Sequence, residues 1–243
     1  MNKLIIAALI VPISVPVNAA TRCNFFANNV VTGIINDSIE AIGYTCTIAR
    51  TARINGDLIQ SGNGSLVVRG IVDGSISESG EGSVTLDGAT VNGNIEELDG
   101  GNVSVSGRSS LNGGVNESGS GSVSVTVNAP GVINGDIIEG GPGSVTVLAQ
   151  SGSYEGGVLE NDDGNVTVSI SGGRSFKGNI EEFGLGSVSA TVNGWFEGGI
   201  IELSSGNVST TGSGTFKGNT EHELPGSCKN TIINFEGAIC NQL

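Results

Sequence analysis

A unit of about twenty residues recurs along most of the chain, and a fixed period of this size restricts the fold to stacked repeats. Its opening apolar residue falls at Ile54, Val72, Val91, Leu111, Ile133, Tyr154, Phe176, Phe196 and Phe216, at spacings of 18, 19, 20, 22, 21, 22, 20 and 20 residues. A weaker copy opens at Val31 and a truncated one at Phe235. Within each copy the third position is Gly (Gly56 to Gly218), and a second Gly follows eight places later (Gly64 to Gly226). The front of the unit keeps a constant length and the back absorbs the variation. The front is therefore geometrically constrained, and the back holds the tolerant loop.

Alternation in Ser122-Val123-Ser124-Val125-Thr126-Val127 has the two-residue period of a strand, with valines on one face and hydroxyls on the other. The segment Ile133-Asn134-Gly135-Asp136-Ile137 reads as a second strand, and no helical period follows the first nineteen residues. Glycine recurring inside a strand marks close backbone approach or positive φ. Two all-β architectures satisfy this pattern. In a parallel β-solenoid of about ten coils of 18–23 residues, equivalent residues stack about 4.8 Å apart. In an antiparallel meander each unit is a hairpin, and the sheet would expose a broad apolar face. A membrane barrel needs strands of about 9–11 residues with aromatic girdles, whereas these strands are short and Trp195 is the sole tryptophan. The solenoid is the expected fold, with an aromatic column at Phe176, Phe196 and Phe216.

The recurrent V/I-x-G-x-I and G-S/N-V-x-V pairs, as in VNGNIEE and GNVSVSG, cover roughly Val31 to Phe235. On these motifs the chain resembles the right-handed parallel β-helices of adhesin and autotransporter passengers, and the coils of bactofilin-like filament proteins. The resemblance implies a right-handed β-helix. Bactofilin-like proteins are cytoplasmic, and the amino terminus departs from them on that point. Left-handed hexapeptide helices keep 18 residues per coil, which most copies here do not.

The chain opens like a secretory signal: Asn2-Lys3, an apolar run from Leu4 to Val11, and a small-residue cleavage site at Val17-Asn18-Ala19. Residues 1–19 are read as a signal peptide. Residues 20–53 form an amino-terminal disulfide cap with a first irregular coil, 54–226 the repeat array, and 227–243 a carboxy-terminal disulfide cap. Four cysteines lie at the ends, and the natural pairing is Cys23–Cys46 with Cys228–Cys240, each closing a local loop in an oxidising compartment. The expected location is secreted, periplasmic or cell-surface, with no membrane span. Loss of Lys3 with the leader leaves 9 basic against 24 acidic residues, a net −15. Such a surface repels nucleic acid and favours cations or basic partners.

The seventh position of the unit reads Gln60, Glu78, Glu97, Glu117, Glu139, Glu160, Glu182, Glu202, His222. Stacked carboxylates repel, so something must offset them. One reading has each Glu accept backbone N–H bonds from the Gly-containing turn that follows. The other makes Glu78, Glu97, Glu117, Glu139, Glu160, Glu182 and Glu202 candidate ligands for Ca²⁺ or another hard cation between coils; the RTX nonapeptide GGxGxDxUx is not matched. The hydroxyl face (Ser83/Thr85, Ser104/Ser106, Ser122/Ser124/Thr126, Ser144/Thr146, Thr167/Ser169, Ser187/Ser189/Thr191, Ser209/Thr211) is a flat polar surface suited to glycans, ice, cell-surface components or self-association. No catalytic residues are assigned. His222 is the lone histidine, and Arg69, Arg108, Arg174, Lys177 and Lys217 fall at unrelated unit positions. Paired carboxylates occur at Glu96/Glu97 and Glu181/Glu182. The expected function is a secreted, non-enzymatic structural or adhesive solenoid binding through a repeated face. Its rivals are a carbohydrate-active enzyme on a parallel β-helix and a calcium-dependent matrix, ice-binding or glycan-binding protein.

Overall fold

The computed structural model describes residues 20–223 and 225–242; the leader read at residues 1–19 lies outside them. The described chain is an all-β parallel β-solenoid of about eleven coils, built on three sheets of twelve, eleven and eleven strands. We name these sheets A, B and C. One coil shows the order: Ile137–Glu139 lies in sheet A, Val145–Ala149 in sheet B and Ser153–Glu155 in sheet C. Each strand pairs in parallel with the equivalent strands of the coils before and after it. An antiparallel meander is thereby excluded. At about 4.8 Å per coil the rod is roughly 50 Å long.

The repeat unit contains three strands, not two. Ile133-Asn134-Gly135-Asp136-Ile137 is not one strand: Val132–Asn134 belongs to sheet C, Ile137–Glu139 to sheet A, and the chain turns a corner at Gly135 between them. Both isoleucines still face inward because a two-residue corner preserves their parity. The reason for the glycine is steric. A Cβ on Gly135 would overlap the backbone of Gly113 one coil earlier, and the same close approach recurs along that corner. The second glycine is crowded in the same way: a Cβ on Gly143 would collide with the Gly121 carbonyl. Length variation falls in strand B and in the loop from B to C, which runs from Arg69-Gly70 in a short coil to Asn128–Gly131 in a long one.

The interior is a set of columns. Sheet B sends in Val123, Val145, Val166 and Val188; sheet A sends in Val115, Ile137, Val158 and Ile180; all are buried. Sheet C supplies the aromatic column, which is longer than the three expected phenylalanines. Tyr154, Phe176, Phe196, Phe216 and Phe235 stack with ring centroids 4.6, 5.1, 4.5 and 4.6 Å apart. Parallel register places identical positions at one coil spacing, which suits offset-stacked rings.

Asn, Asp and Ser side chains stitch the corners between coils. At the C-to-A corner, Asp57 Oδ1 accepts from the Ser75 amide, Ser75 Oγ from Asn94, and Asn94 Oδ1 from Gly114. After the A-to-B turn, Ser83 Oγ accepts from the Asn102 amide and Asn102 Oδ1 from Ser122. These bonds satisfy corner amides that no strand pairs. They explain the polar fourth position and the Ser/Asn after the second glycine, for which sequence reading had no physical account.

Both disulfides form as expected, Cys23–Cys46 and Cys228–Cys240, with Cα separations of 6.0 and 5.4 Å. The segments that carry them continue the sheets. Thr21–Arg22 pairs with Ile39–Ile42, and Cys228–Asn230, Asn234–Glu236 and Asn241–Gln242 extend sheets B, C and A.

Candidate functional site

The seventh-position column is inside the rod. Gln60, Glu78, Glu97, Glu117, Glu139, Glu160, Glu182 and Glu202 are 0% exposed and His222 is 8% exposed. Strand parity puts them there. Ile95 and Glu97 are two residues apart on one strand of sheet A, so if the isoleucine faces the core the glutamate must as well. That signal was legible in the sequence; the usual exposure of Glu argues against following it. Register then aligns the carboxyls coil on coil: Glu78 with Glu97, Glu97 with Glu117, and so on to Glu202 with His222.

Each side chain ends at the A-to-B turn, where one carboxyl oxygen accepts backbone N–H bonds. Glu117 Oε1 accepts from Gly119 and Gly121 at 2.9 and 3.1 Å. Glu182 Oε1 accepts from Gly184 and Gly186 at 2.7 and 3.2 Å, and Glu202 Oε1 from Ser204 and Gly206 at 2.8 and 3.2 Å. Glu97, Glu139 and Glu160 make equivalent bonds to Asp99 and Gly101, to Gly141, and to Asp162. Only Glu78 lacks a well-formed one, its Oε1 lying toward Gly82 outside ordinary geometry. The turn therefore folds around the carboxyl group.

The second oxygen is different. Oε2 of all seven glutamates is buried and has no backbone or hydroxyl partner. Carboxyls of adjacent coils, paired in register, instead act on one another. Burial pushes Glu78 from the ordinary 4.5 up to about 8, and the contact with Glu97 adds to it. Burial likewise pushes Glu97 and Glu160 up to about 7. Glu117, Glu139 and Glu182 are raised by the same cause, while their backbone N–H bonds pull the other way. Two ionised carboxylates at one coil spacing would repel by about 3 kcal/mol at an effective dielectric near 20, before the cost of desolvation.

As calcium ligands these residues are poorly disposed. A hard cation of that size takes about six to eight oxygens, and among the described residues no group of three or more His, Cys, Asp or Glu is arranged to hold a metal ion. Successive carboxyls stand in register one per coil, and in six of the seven one oxygen is committed to backbone amides.

The hydroxyl face is on the outside of sheet B. Register places Thr85, Ser104, Ser124, Thr146, Thr167, Ser189 and Ser209 in one outward column; a second runs through Thr126, Leu148, Ser169, Thr191 and Thr211, while Ser106 pairs with Asp87. Ser83, Ser122, Ser144 and Ser187 lie instead at the corner, where their hydroxyls accept amides of the next coil.

Alternation separates the paired carboxylates. Glu97 and Glu182 point in, whereas Glu96 and Glu181 point out. Neither pair can act on one substrate. The basic residues are less scattered than their unit positions imply. Arg50, Arg69 and Arg108 line one concave corner with Asp87, whose carboxylate lies 4.0 Å from Arg50 and 3.1 Å from Arg69. Consecutive coils bring together B-to-C loops that are far apart in sequence. Lys177 and Lys217 make exposed pairs with Glu155 and Glu236, and Lys217 Nζ sits 4.7 Å over the half-exposed Trp195 ring; such surface pairs contribute about 1 kcal/mol or less.

No known family model matches the chain, and no curated protein or solved structure matches it either. The three-sheet parallel β-solenoid itself is the relationship that stands, a fold that hosts unrelated functions.

Proposed function

We propose that this protein is an exported, non-catalytic rod that serves as a structural or adhesive element and binds through the hydroxyl face of sheet B. The observation that carries the reading is the column from Thr85 to Ser209, which stays in register without a break, beside a second one that Leu148 interrupts. Two outward columns of Ser and Thr repeat at the coil spacing over many coils, giving a flat surface of nearly identical donors and acceptors. Each hydroxyl offers one donor and two acceptor lone pairs. A single site of this kind is weak, and repetition raises the effective affinity for an equally repetitive partner such as a glycan chain, a cell-surface polymer or another copy. Two disulfides accord with an oxidising compartment, and the leader-like sequence at residues 1–19 supports export.

The test places charge on the face without touching the core. Thr146→Lys together with Thr167→Lys, both outward on adjacent strands of sheet B, should leave the thermal melt within a few degrees of the parent. Retention on glycan arrays or on whole cells, and concentration-dependent association in light scattering, should drop at least tenfold. Undiminished binding by the double variant, or equal loss on placing the same charges on sheet C at Ser153 and Ser175, overturns the reading.

A further inference from the structure

The buried glutamates raise a question of charge balance that the proposed rod leaves untouched. Seven carboxyl groups lie in a row with no exposure, and no Lys or Arg is buried beside them. Six of the seven Oε1 atoms are bonded to turn amides, Glu78 being the exception, and all seven Oε2 atoms are buried without a hydrogen-bond partner. Two facing acceptors cannot bond unless one carries a hydrogen. Buried ionised carboxylates without a counter-ion are strongly disfavoured, and such groups neutralise instead.

The surroundings offer no other solution. On sheet A the column is bracketed by Gln60 and His222. Gln60 donates through Nε2 to the Ser61 and Gly62 carbonyls and keeps a buried, unpartnered Oε1; His222 has a buried, unpartnered Nδ1. The facing residues of sheet B, such as Val103, Val123, Val145 and Val166, carry no charge. From sheet C the one titratable interior side chain among the described residues is Tyr154, whose single O–H donates to the Gly157 carbonyl at 2.6 Å, with the Gly135 carbonyl at 3.2 Å. The turns add only like charge, with the Asp99 and Asp162 amides bonded to the column and the Asp99 carboxylate acting on Glu78.

We propose that the row from Glu78 to Glu182 is a proton-binding site: solvent protons taken up on folding make it a ladder of acid-to-acid hydrogen bonds, each Oε2–H donating to the carboxyl of the next coil, with Glu202 as the last acceptor. The buried, orphaned Gln60 Oε1 and His222 Nδ1 bracket the row, and since such a ladder runs one way only one of these ends can take a hydrogen from it. Each proton comes from bulk water and returns there on unfolding, so the balance needs no further reactant. The ladder holds in place the A-to-B turns that fold around these carboxyls. Gln60 is a built-in precedent, since an amide at this position brings its own N–H.

The decisive experiment counts protons. The full folded protein, in weakly buffered solution at pH 6.5 with chelator present, is unfolded by urea while released acid is titrated. Several protons per chain should be released, and infrared spectra of the native state should contain a protonated-carboxyl band that vanishes on unfolding. In Glu117→Gln and in Glu139→Gln the release should fall by about one proton each while the strand signal in circular dichroism persists. If either variant does not fold, the parent's own proton count and infrared band still decide. Release of less than one proton per chain overturns the proposal. So does a native mass that includes metal ions whose chelation lowers the melting temperature, because cations would then balance the charge. Neither outcome bears on binding by the hydroxyl face.

Discussion

At the scale of single residues, what the interior tolerates is decided by what the previous coil puts there. A Cβ at Gly143 has nowhere to go, because the Gly121 carbonyl occupies its place, whereas a Cβ at Gly172 would meet only Asn193 O at an ordinary 3.7 Å. Gly143→Ala should therefore destabilise by about 1–3 kcal/mol, as overpacking does, and Gly172→Ala should be near neutral; urea unfolding of the two variants checks the contrast. Phe196 is stacked on both faces, 5.1 Å from Phe176 and 4.5 Å from Phe216, and is fully buried. Phe196→Ala should cost about 3–5 kcal/mol. In a solenoid that loss uncouples the coils on either side, so the unfolding transition should broaden or split. A single sharp transition with an unchanged midpoint would contradict this.

At the scale of elements, parallel register converts each sequence position into a column, and ends differ from the middle. The last coil pairs on one side only, and Ile233 and Ile239 are 76% and 51% exposed. Cys228–Cys240, twelve residues apart, pins it. Closing a loop of that length is worth about 3 kcal/mol in the chain-entropy account. Cys228→Ala with Cys240→Ala should speed hydrogen exchange across Thr220–Asn241 first and leave Val103–Val168 protected, because a repeat array loses its terminal coil before its centre. Uniform loss of protection along the chain would show that the disulfide stabilises the rod as a whole. Sheet B is the element whose outward face carries a hydroxyl column in continuous register from Thr85 to Ser209.

At the scale of the whole molecule, the glutamate column links the rod's stability to pH. Burial raises six of its carboxyls, Glu78 to Glu182, above the ordinary 4.5, to about 8 for Glu78 and about 7 for Glu97 and Glu160. The folded state thus binds more protons than the unfolded chain between those limits, and unfolding free energy must fall as pH rises there. The column's contribution is fully present below about 4.5 and is lost on passing through 7 to 8. Melting temperatures measured from pH 4.5 to 9 should decline across that range, with a shallower slope in Glu97→Gln. A flat or rising profile would contradict it. Electrophoretic mobility of the folded protein at pH 6 should likewise correspond to a net charge several units less negative than the formal −14 that the sequence carries.

Much of this protein was legible in the chain itself. The period, the alternation in residues 122–127, and the constant front with its variable back favour a parallel solenoid over an antiparallel meander, and the parallel pairing of equivalent strands decides between them. Cysteine placement gives the disulfides, since only local pairs are close when the two ends are far apart. Parity even places Glu97 on the same side as Ile95. Three things needed the folded molecule. The corner at Gly135 makes two strands of what reads as one, because a two-residue bend leaves inward parity unchanged. The gathering of Arg50, Arg69 and Arg108 around Asp87 depends on loops stacking between coils. The state of the carboxyls depends on depth, since a row of glutamates on a surface stays ionised, whereas the same row sealed between three sheets with no buried cation must find protons.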